Sequence, residues 1–118
     1  MIITDSMTIE EIIEQFEIEY GEDFNWTMIP FSQSGGHFVN ELKKELAKND
    51  PFLQNKLWAV AKCTSNDDVL FLDENGLWRI YHLTYSSNNE NGFPKYVEFN
   101  SRKSAAEYIQ NQFIAEYL

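Results

Sequence analysis

Hydrophobic side chains recur with a helical period within the first twenty residues. One apolar stripe of an α-helix is formed by Ile9, Ile12, Ile13, Phe16 and Tyr20. Thr8 and Glu11 have the spacing of a capping box, and Gly21 suits the left-handed position that follows many helices. The pattern therefore predicts a first helix over residues 9–20.

Two later stretches repeat this helical period. Residues 37–48 carry an apolar stripe that consists of Phe38, Val39, Leu42 and Leu46, and Pro51 stops the helix soon after. Asn100 or Ser101 can cap a third helix that continues nearly to the end of the sequence. Its apolar face consists of Ala105, Tyr108, Ile109, Phe113 and Tyr117.

Between the second and third helices the hydrophobic pattern becomes that of β-strands. Runs rich in β-branched and aromatic residues cover 57–63, 69–72 and 77–85, and short polar turns separate them. A fourth run, 93–99, follows a polar loop over 86–92. Turns this short join antiparallel neighbours. We predict an α+β fold with a four-stranded antiparallel meander, on which two N-terminal helices and one C-terminal helix pack mainly on one face.

The side-chain period of two assigns the strand residues to the two faces of the sheet. Strict alternation places Leu57, Ala59, Ala61 and Cys63 together, opposite Trp58, Val60 and Lys62. The third strand is rich in aromatic and polar side chains that tolerate partial exposure. The predicted partner-binding residues on this strand are Trp78, Arg79, Tyr81 and His82. For Arg79 the alternative is an ion pair with a strand acid such as Glu98, a common use of charges in sheets.

Charge is distributed unevenly along the chain. The 118 residues have a net charge of −10, yet the first 36 contain eight acids and no lysine or arginine. The negative electrostatic field of these acids opposes binding to nucleic acid and favours a basic protein partner. Glu10, Glu14 and Glu17 share one face of the first helix and are further partner-binding candidates. The alternative is that this face is simply solvated, as charged helix faces commonly are.

Composition narrows the class of protein. The length predicts a single domain over residues 1–118. The lone cysteine, Cys63, fits a reducing compartment, and no apolar run approaches the roughly 18–20 residues that span a membrane. We expect a soluble cytoplasmic protein without membrane association, and the frequent Ile, Asn, Lys and Glu are typical of low-GC bacteria. The sequence leaves the oligomeric state open.

Signatures of enzymes, metal sites and cofactor sites are absent from the sequence. The two histidines do not form HExxH, and CxxC, GxSxG and phosphate-binding loops are missing. Cys63 and His82 would resemble a thiol–imidazole pair only if their strands were adjacent, but a simple meander places another strand between them. We therefore predict no cofactor, no metal and no catalytic residues.

The function expected from the sequence is that of an acidic protein-interaction module. A specific version is a bacterial inhibitor or immunity-type protein that presents its acids to a basic toxin or nuclease. The alternative is a small-ligand-binding protein or an unrecognised enzyme. Its aromatic-lined pocket would consist of Trp26, Trp58, Trp78 and Tyr81.

Overall fold

The fold combines three helices with one antiparallel sheet. The computed structural model describes residues 3–86 and 92–118. The helices are α1 (Ile9–Tyr20), α2 (His37–Glu45) and α3 (Arg102–Tyr117). The strands are β1 (Trp26–Met28), β2 (Leu57–Cys63), β3 (Asp68–Asp73), β4 (Trp78–His82) and β5 (Tyr96–Phe99). They lie in the order β1-β2-β3-β4-β5, and each neighbouring pair is antiparallel. The predicted α+β class and the antiparallel meander are confirmed.

The predicted number of four strands is wrong, because the sheet has five. The additional strand β1 pairs with β2, with Trp26 opposite Cys63 and Met28 opposite Ala61. Three alternating residues are too few to establish a period by themselves. The strand forms because the edge of β2 supplies backbone partners. Most of the polar loop predicted over 86–92 lies outside the described residues.

Local sequence signals set the helix ends. The capping box of α1 is present, with Thr8 accepting from the amide of Glu11 and the Glu11 carboxylate accepting from the amide of Thr8. Gly21 follows with a φ of +69°, a conformation that glycine adopts without strain. Helix α2 ends three residues earlier than predicted, at Glu45, because Leu46 is extended. Ser101 caps α3 through the amide of Ser104.

The helices cover both faces of the sheet, which corrects the prediction that they pack mainly on one. Helices α1 and α3 pack over Leu70 and Ile80 to form a first core. Helix α2 and a short helical turn (Pro51–Gln54) pack over the opposite face and form a second core around Phe71 and Tyr81. Since β3 is apolar on both faces, each face needs a cover to exclude water.

A β-bulge in β2 changes which side chains share a face. Ala59 pairs with Phe71 and Ala61 pairs with Leu70, so Val60 is an extra residue on β2. Ala59 therefore belongs to the second core, whereas Ala61 belongs to the first. The strict alternation predicted for β2 is wrong beyond Val60, because the bulge shifts the pleat by one residue.

Candidate functional site

An apolar groove lies where the start of α1 and the segment after β1 meet the sheet. Its volume is about 290 Å³, and its lining is mainly apolar. Strands β2, β3 and β4 supply its floor, and α1 and the short helical turn Phe31–Gln33 supply its walls. The lining includes the side chains of Glu10, Met28, Phe31, Trp58, Leu72 and Trp78.

The floor of the groove is a row of side chains across three strands. Trp58 on β2 pairs with Leu72 on β3, and Leu72 pairs with Trp78 on β4. Residues opposite each other in a sheet share a face, so these three side chains lie side by side. Val60 lies two residues after Trp58 on the same face of β2, so it reaches the same groove and packs against the first core. The floor is therefore fixed by strand pairing.

The wall of the groove contains an exposed aromatic side chain. Phe31 has 83% of its surface exposed, which is unusual for a phenylalanine next to other apolar groups. It lies in the helical turn after Pro30, and the buried Ser34 donates to its carbonyl at 2.7 Å. This turn is anchored to the sheet, because the Ala59 amide donates to the Ser34 carbonyl at 2.7 Å.

The charged side chains on the α1 side of the groove are acidic. Among the described residues that line it, Glu10 is the only charged one. Glu14 and Glu17 are exposed further along the same helix. A lysine lies nearby as well, since Lys56 Nζ is 5.3 Å from the centre of the Trp58 ring. A charged ligand would therefore meet an acid on one side of the groove and a base near Trp58.

Arg79 is held within the fold on the opposite face of the sheet. Its Nη2 lies 2.9 Å from Glu98 Oε1, and its Nη1 donates to the Tyr81 hydroxyl at 2.7 Å. The guanidinium carbon is 4.4 Å from the Phe52 ring centre and 4.3 Å from that of Tyr96. Burial lowers the pKa of Arg79, but the hydrogen bonds to Tyr81 and Glu98 outweigh it and raise the pKa overall. The structure thus shows the ion pair with Glu98.

Of the other predicted site residues, Glu10 and Trp78 both line the groove, whereas Tyr81 and His82 do not. Tyr81 is fully buried beside Arg79, so it has no surface for a partner. His82 is exposed, and its Nδ1 lies 2.7 Å from Asp68 Oδ1. Strand β3 lies between the strands that carry Cys63 and His82, as expected for a meander. Of the predicted aromatic pocket, Trp58 and Trp78 line the groove, while Trp26 and Tyr81 do not.

Sequence reasoning missed several residues of the groove, among them Met28 and Phe31. Both follow α1 in a stretch without a clear period, and nothing in their spacing indicates that they meet Trp58. The usable signal was that a long irregular segment contains several large apolar residues. Such a segment needs a surface to pack on.

Comparison with protein families, curated proteins and solved structures finds no match to this chain. Within residues 3–86 and 92–118, no helix is both long and apolar enough to cross a membrane. The same residues contain no group of three or more His, Cys, Asp or Glu side chains arranged to hold a metal ion. The groove and the charges around it are the features of the molecule that bear on function.

Proposed function

We propose that this protein is an interaction module that binds a basic segment of a partner protein. The groove receives one apolar side chain of that segment, and the acids of α1 attract the lysines or arginines beside it. The observation that carries this proposal is the position of Glu10. This residue lines the groove and is also the first of the exposed acids Glu10, Glu14 and Glu17 along α1.

The dimensions of the groove favour a side chain over a large cofactor. Pockets for drug-sized molecules hold about 300–1,000 Å³, and the volume of this groove, about 290 Å³, is just below that range. Burying one leucine or phenylalanine contributes about 1.5–3 kcal/mol, which is too little for tight binding alone. Additional affinity and a faster approach would come from the negative field of the first 36 residues.

A titration with short peptides followed by NMR tests this proposal. The probe is a peptide with a central phenylalanine flanked by lysines, and its controls replace the phenylalanine by serine or the lysines by glutamates. We expect the lysine-flanked peptide to shift the indole N–H signals of Trp58 and Trp78. Binding of the glutamate-flanked peptide with equal affinity would contradict the proposal.

Two matched surface variants locate the binding site. Phe31→Ser removes an exposed wall of the groove, and Ile18→Ser removes a side chain that is 69% exposed and does not line the groove. Because both side chains are exposed, both variants should fold. Only Phe31→Ser should weaken peptide binding. Equal affinities of the two variants would place the site elsewhere.

The apolar lining supports a second candidate function, the binding of a small neutral ligand. A row of two tryptophans and a leucine offers an aromatic surface to such a molecule. Free indole is a suitable probe. If indole shifts the two tryptophan signals at lower concentration than the lysine-flanked peptide does, the small-ligand function is supported instead.

The inhibitor or immunity-type role is a narrower version of the first proposal. Such proteins gain association rate when their acids face a basic partner, and the charge of α1 supplies this field. A basic toxin or nuclease domain would then be the partner that carries the apolar side chain.

A further inference from the structure

A second cavity, the basic cavity, adjoins the apolar groove near the start of α3. Its volume is about 420 Å³, and it is open to solvent. Leu72 and Trp78 line both this cavity and the groove, so the two spaces meet at these side chains. The other lining residues of the basic cavity are Asp5, Gly76, Asn100, Ser101, Arg102 and Lys103.

The two spaces differ in the sign of their charge. The groove is lined by one charged side chain among the described residues, the acid Glu10. The basic cavity is lined by two bases, Arg102 and Lys103, against the single acid Asp5. A chain with a net charge of −10 thus has a local excess of positive charge directly beside its apolar groove.

Arg102 is held in place while most of its guanidinium stays available. Its Nη2 donates to the backbone carbonyl of Asp5 at 2.6 Å, which uses one of the several N–H donors of the group. Binding an anion therefore costs little further side-chain entropy at this position. A planar guanidinium binds a carboxylate through two parallel hydrogen bonds, and the exposed Lys103 adds a second positive charge.

We propose that the basic cavity binds the C-terminal carboxylate of the partner, whose last apolar side chain fills the groove. This inference rests on the proposed function and specifies which part of the partner is bound. In a C-terminal residue only Cα and Cβ separate the carboxylate from the side chain. Both groups can therefore lie on either side of Leu72 and Trp78, where the two spaces meet.

Charge complementarity favours a chain terminus over an internal segment. An internal residue has a neutral peptide bond where the terminal residue has its carboxylate, and it would leave the bases of the cavity without an anion. The acids of α1 attract lysines or arginines that precede the last residue. The partner sequence that fits both spaces is basic and ends in an apolar residue.

Two peptides that differ only in the terminal group test the site. Both consist of a short run of lysines followed by a phenylalanine, and one ends in a free carboxylate while the other ends in a carboxamide. The free acid should bind roughly tenfold more tightly, as expected for hydrogen bonds to a charged group. The overall negative charge of the protein alone would favour the amide, because the amide is the more cationic peptide.

NMR separates the failure of this proposal from the failure of the proposed function. Both peptides should shift the indole signals of Trp58 and Trp78, and only the free acid should shift the Arg102 Nε–H signal. Equal dissociation constants for the two peptides would overturn this proposal alone. Binding of a peptide with an internal phenylalanine, but of neither terminal peptide, would also overturn this proposal alone. Failure of all three peptides to bind would overturn both.

Matched double variants locate the carboxylate. Arg102→Gln with Lys103→Gln removes both bases of the cavity, and the control, Lys44→Gln with Lys48→Gln, removes the same charge at exposed positions outside both linings. Only the first variant should lose the preference for the free acid, and a full preference in this variant would contradict the proposal. If loss of the bond to Asp5 disturbs the fold, Lys103→Gln alone should still reduce the preference. An undiminished preference in this single variant would likewise contradict it.

Discussion

Trp58 and Trp78 lie on either side of Leu72 in one row across three strands, because Leu72 is the register partner of both. Neighbouring strands are about 4.7–4.9 Å apart, so the two tryptophan backbones are roughly 10 Å from each other. This spacing is set by the hydrogen bonds of the sheet. The floor of the groove is therefore fixed by the sheet itself, which would lower the entropic cost of binding the proposed partner.

Replacing Arg79 should destabilise the fold. Arg79→Met removes the hydrogen bonds to Tyr81 and Glu98 and leaves the buried Tyr81 hydroxyl without its donor. Hydrogen bonds to charged groups contribute about 1.5–3 kcal/mol, so we expect a loss near 2 kcal/mol in urea unfolding. Glu98→Gln should cost less than about 1 kcal/mol, because Glu98 is partly exposed. A larger loss for Glu98→Gln than for Arg79→Met would contradict this account.

Stability should decline at high pH because of Tyr81. Burial raises the pKa of Tyr81 to about 12, although the neighbouring Arg79 lowers it in part. In the unfolded chain a tyrosine titrates near pH 10, so above about pH 10 the folded state retains a proton that the unfolded state has lost. The free energy of unfolding should thus fall between about pH 10 and 12, by at most ~1.4 kcal/mol per pH unit from this group.

Tyr81→Phe is the control for that prediction. Phenylalanine has no proton to lose, so the variant should lose part of the decline in stability above pH 10. Urea unfolding at several pH values measures the difference. Identical pH dependence in both proteins would show that Tyr81 titrates normally.

Glu45 should make stability sensitive to acid. Its Oε1 accepts from the Thr84 amide at 2.7 Å, and its Oε2 accepts from the Tyr85 amide at 3.0 Å. Burial raises the pKa of Glu45, but hydrogen bonds from Glu41, Thr84 and Tyr85 outweigh it and lower the pKa overall. The stabilisation is present above the unfolded pKa and is lost as the pH falls through the folded one.

Glu45→Gln should therefore cost about 2 kcal/mol at neutral pH and less in acid. Glu41→Gln is the control, since an amide at position 41 can still donate to Glu45. Urea unfolding between pH 7 and pH 3 measures both variants. A constant cost of Glu45→Gln across this range would refute the role of the carboxylate charge.

Cys63 should react slowly with thiol reagents in the folded protein. The thiol is 2% exposed, and reagents must reach a thiolate to react. We expect slow labelling by a disulfide reagent near neutral pH and rapid labelling in denaturant. Rapid labelling of the native state would instead indicate an activated thiolate and would favour an enzyme.

Local sequence patterns predicted the three helices and the order of four strands. The fifth strand, the bulge in β2 and the covering of both sheet faces depend on contacts between residues far apart in the sequence. The capping box and apolar stripe of α1 act within a few residues, so the sequence alone predicted its bounds. The bulge at Val60 depends on the partner strand, and no glycine marks it. It changes the face of each later residue in β2.

The candidate site was harder to predict for the same reason. The groove combines side chains from α1, the segment after β1 and four strands, and only their packing brings Phe31 close to Trp78. Arg79, Tyr81 and Trp78 are neighbours in the sequence, yet strand alternation sends Trp78 to the opposite face. Residues that are close together in the sequence, and that were predicted to form one site, therefore lie on opposite faces of the sheet.

The most direct test of the proposed function reverses the charge of α1. The triple variant Glu10→Lys, Glu14→Lys and Glu17→Lys is compared with a matched triple variant, Asp67→Lys, Glu74→Lys and Glu107→Lys, which alters exposed acids outside α1 and outside the groove lining. Both variants change the net charge by the same amount. Thermal unfolding checks their stability, since Glu10→Lys at the start of the helix costs about 0.3–1 kcal/mol.

The deciding measurement is the dissociation constant of the lysine-flanked peptide at low and high salt. Salt screens exposed charges over a Debye length of about 10 Å at 0.1 M. The α1 variant should weaken binding strongly at low salt and much less at high salt, and it should do so more than the matched variant. Equal dissociation constants for the two variants at low salt would contradict the role of the acidic helix face.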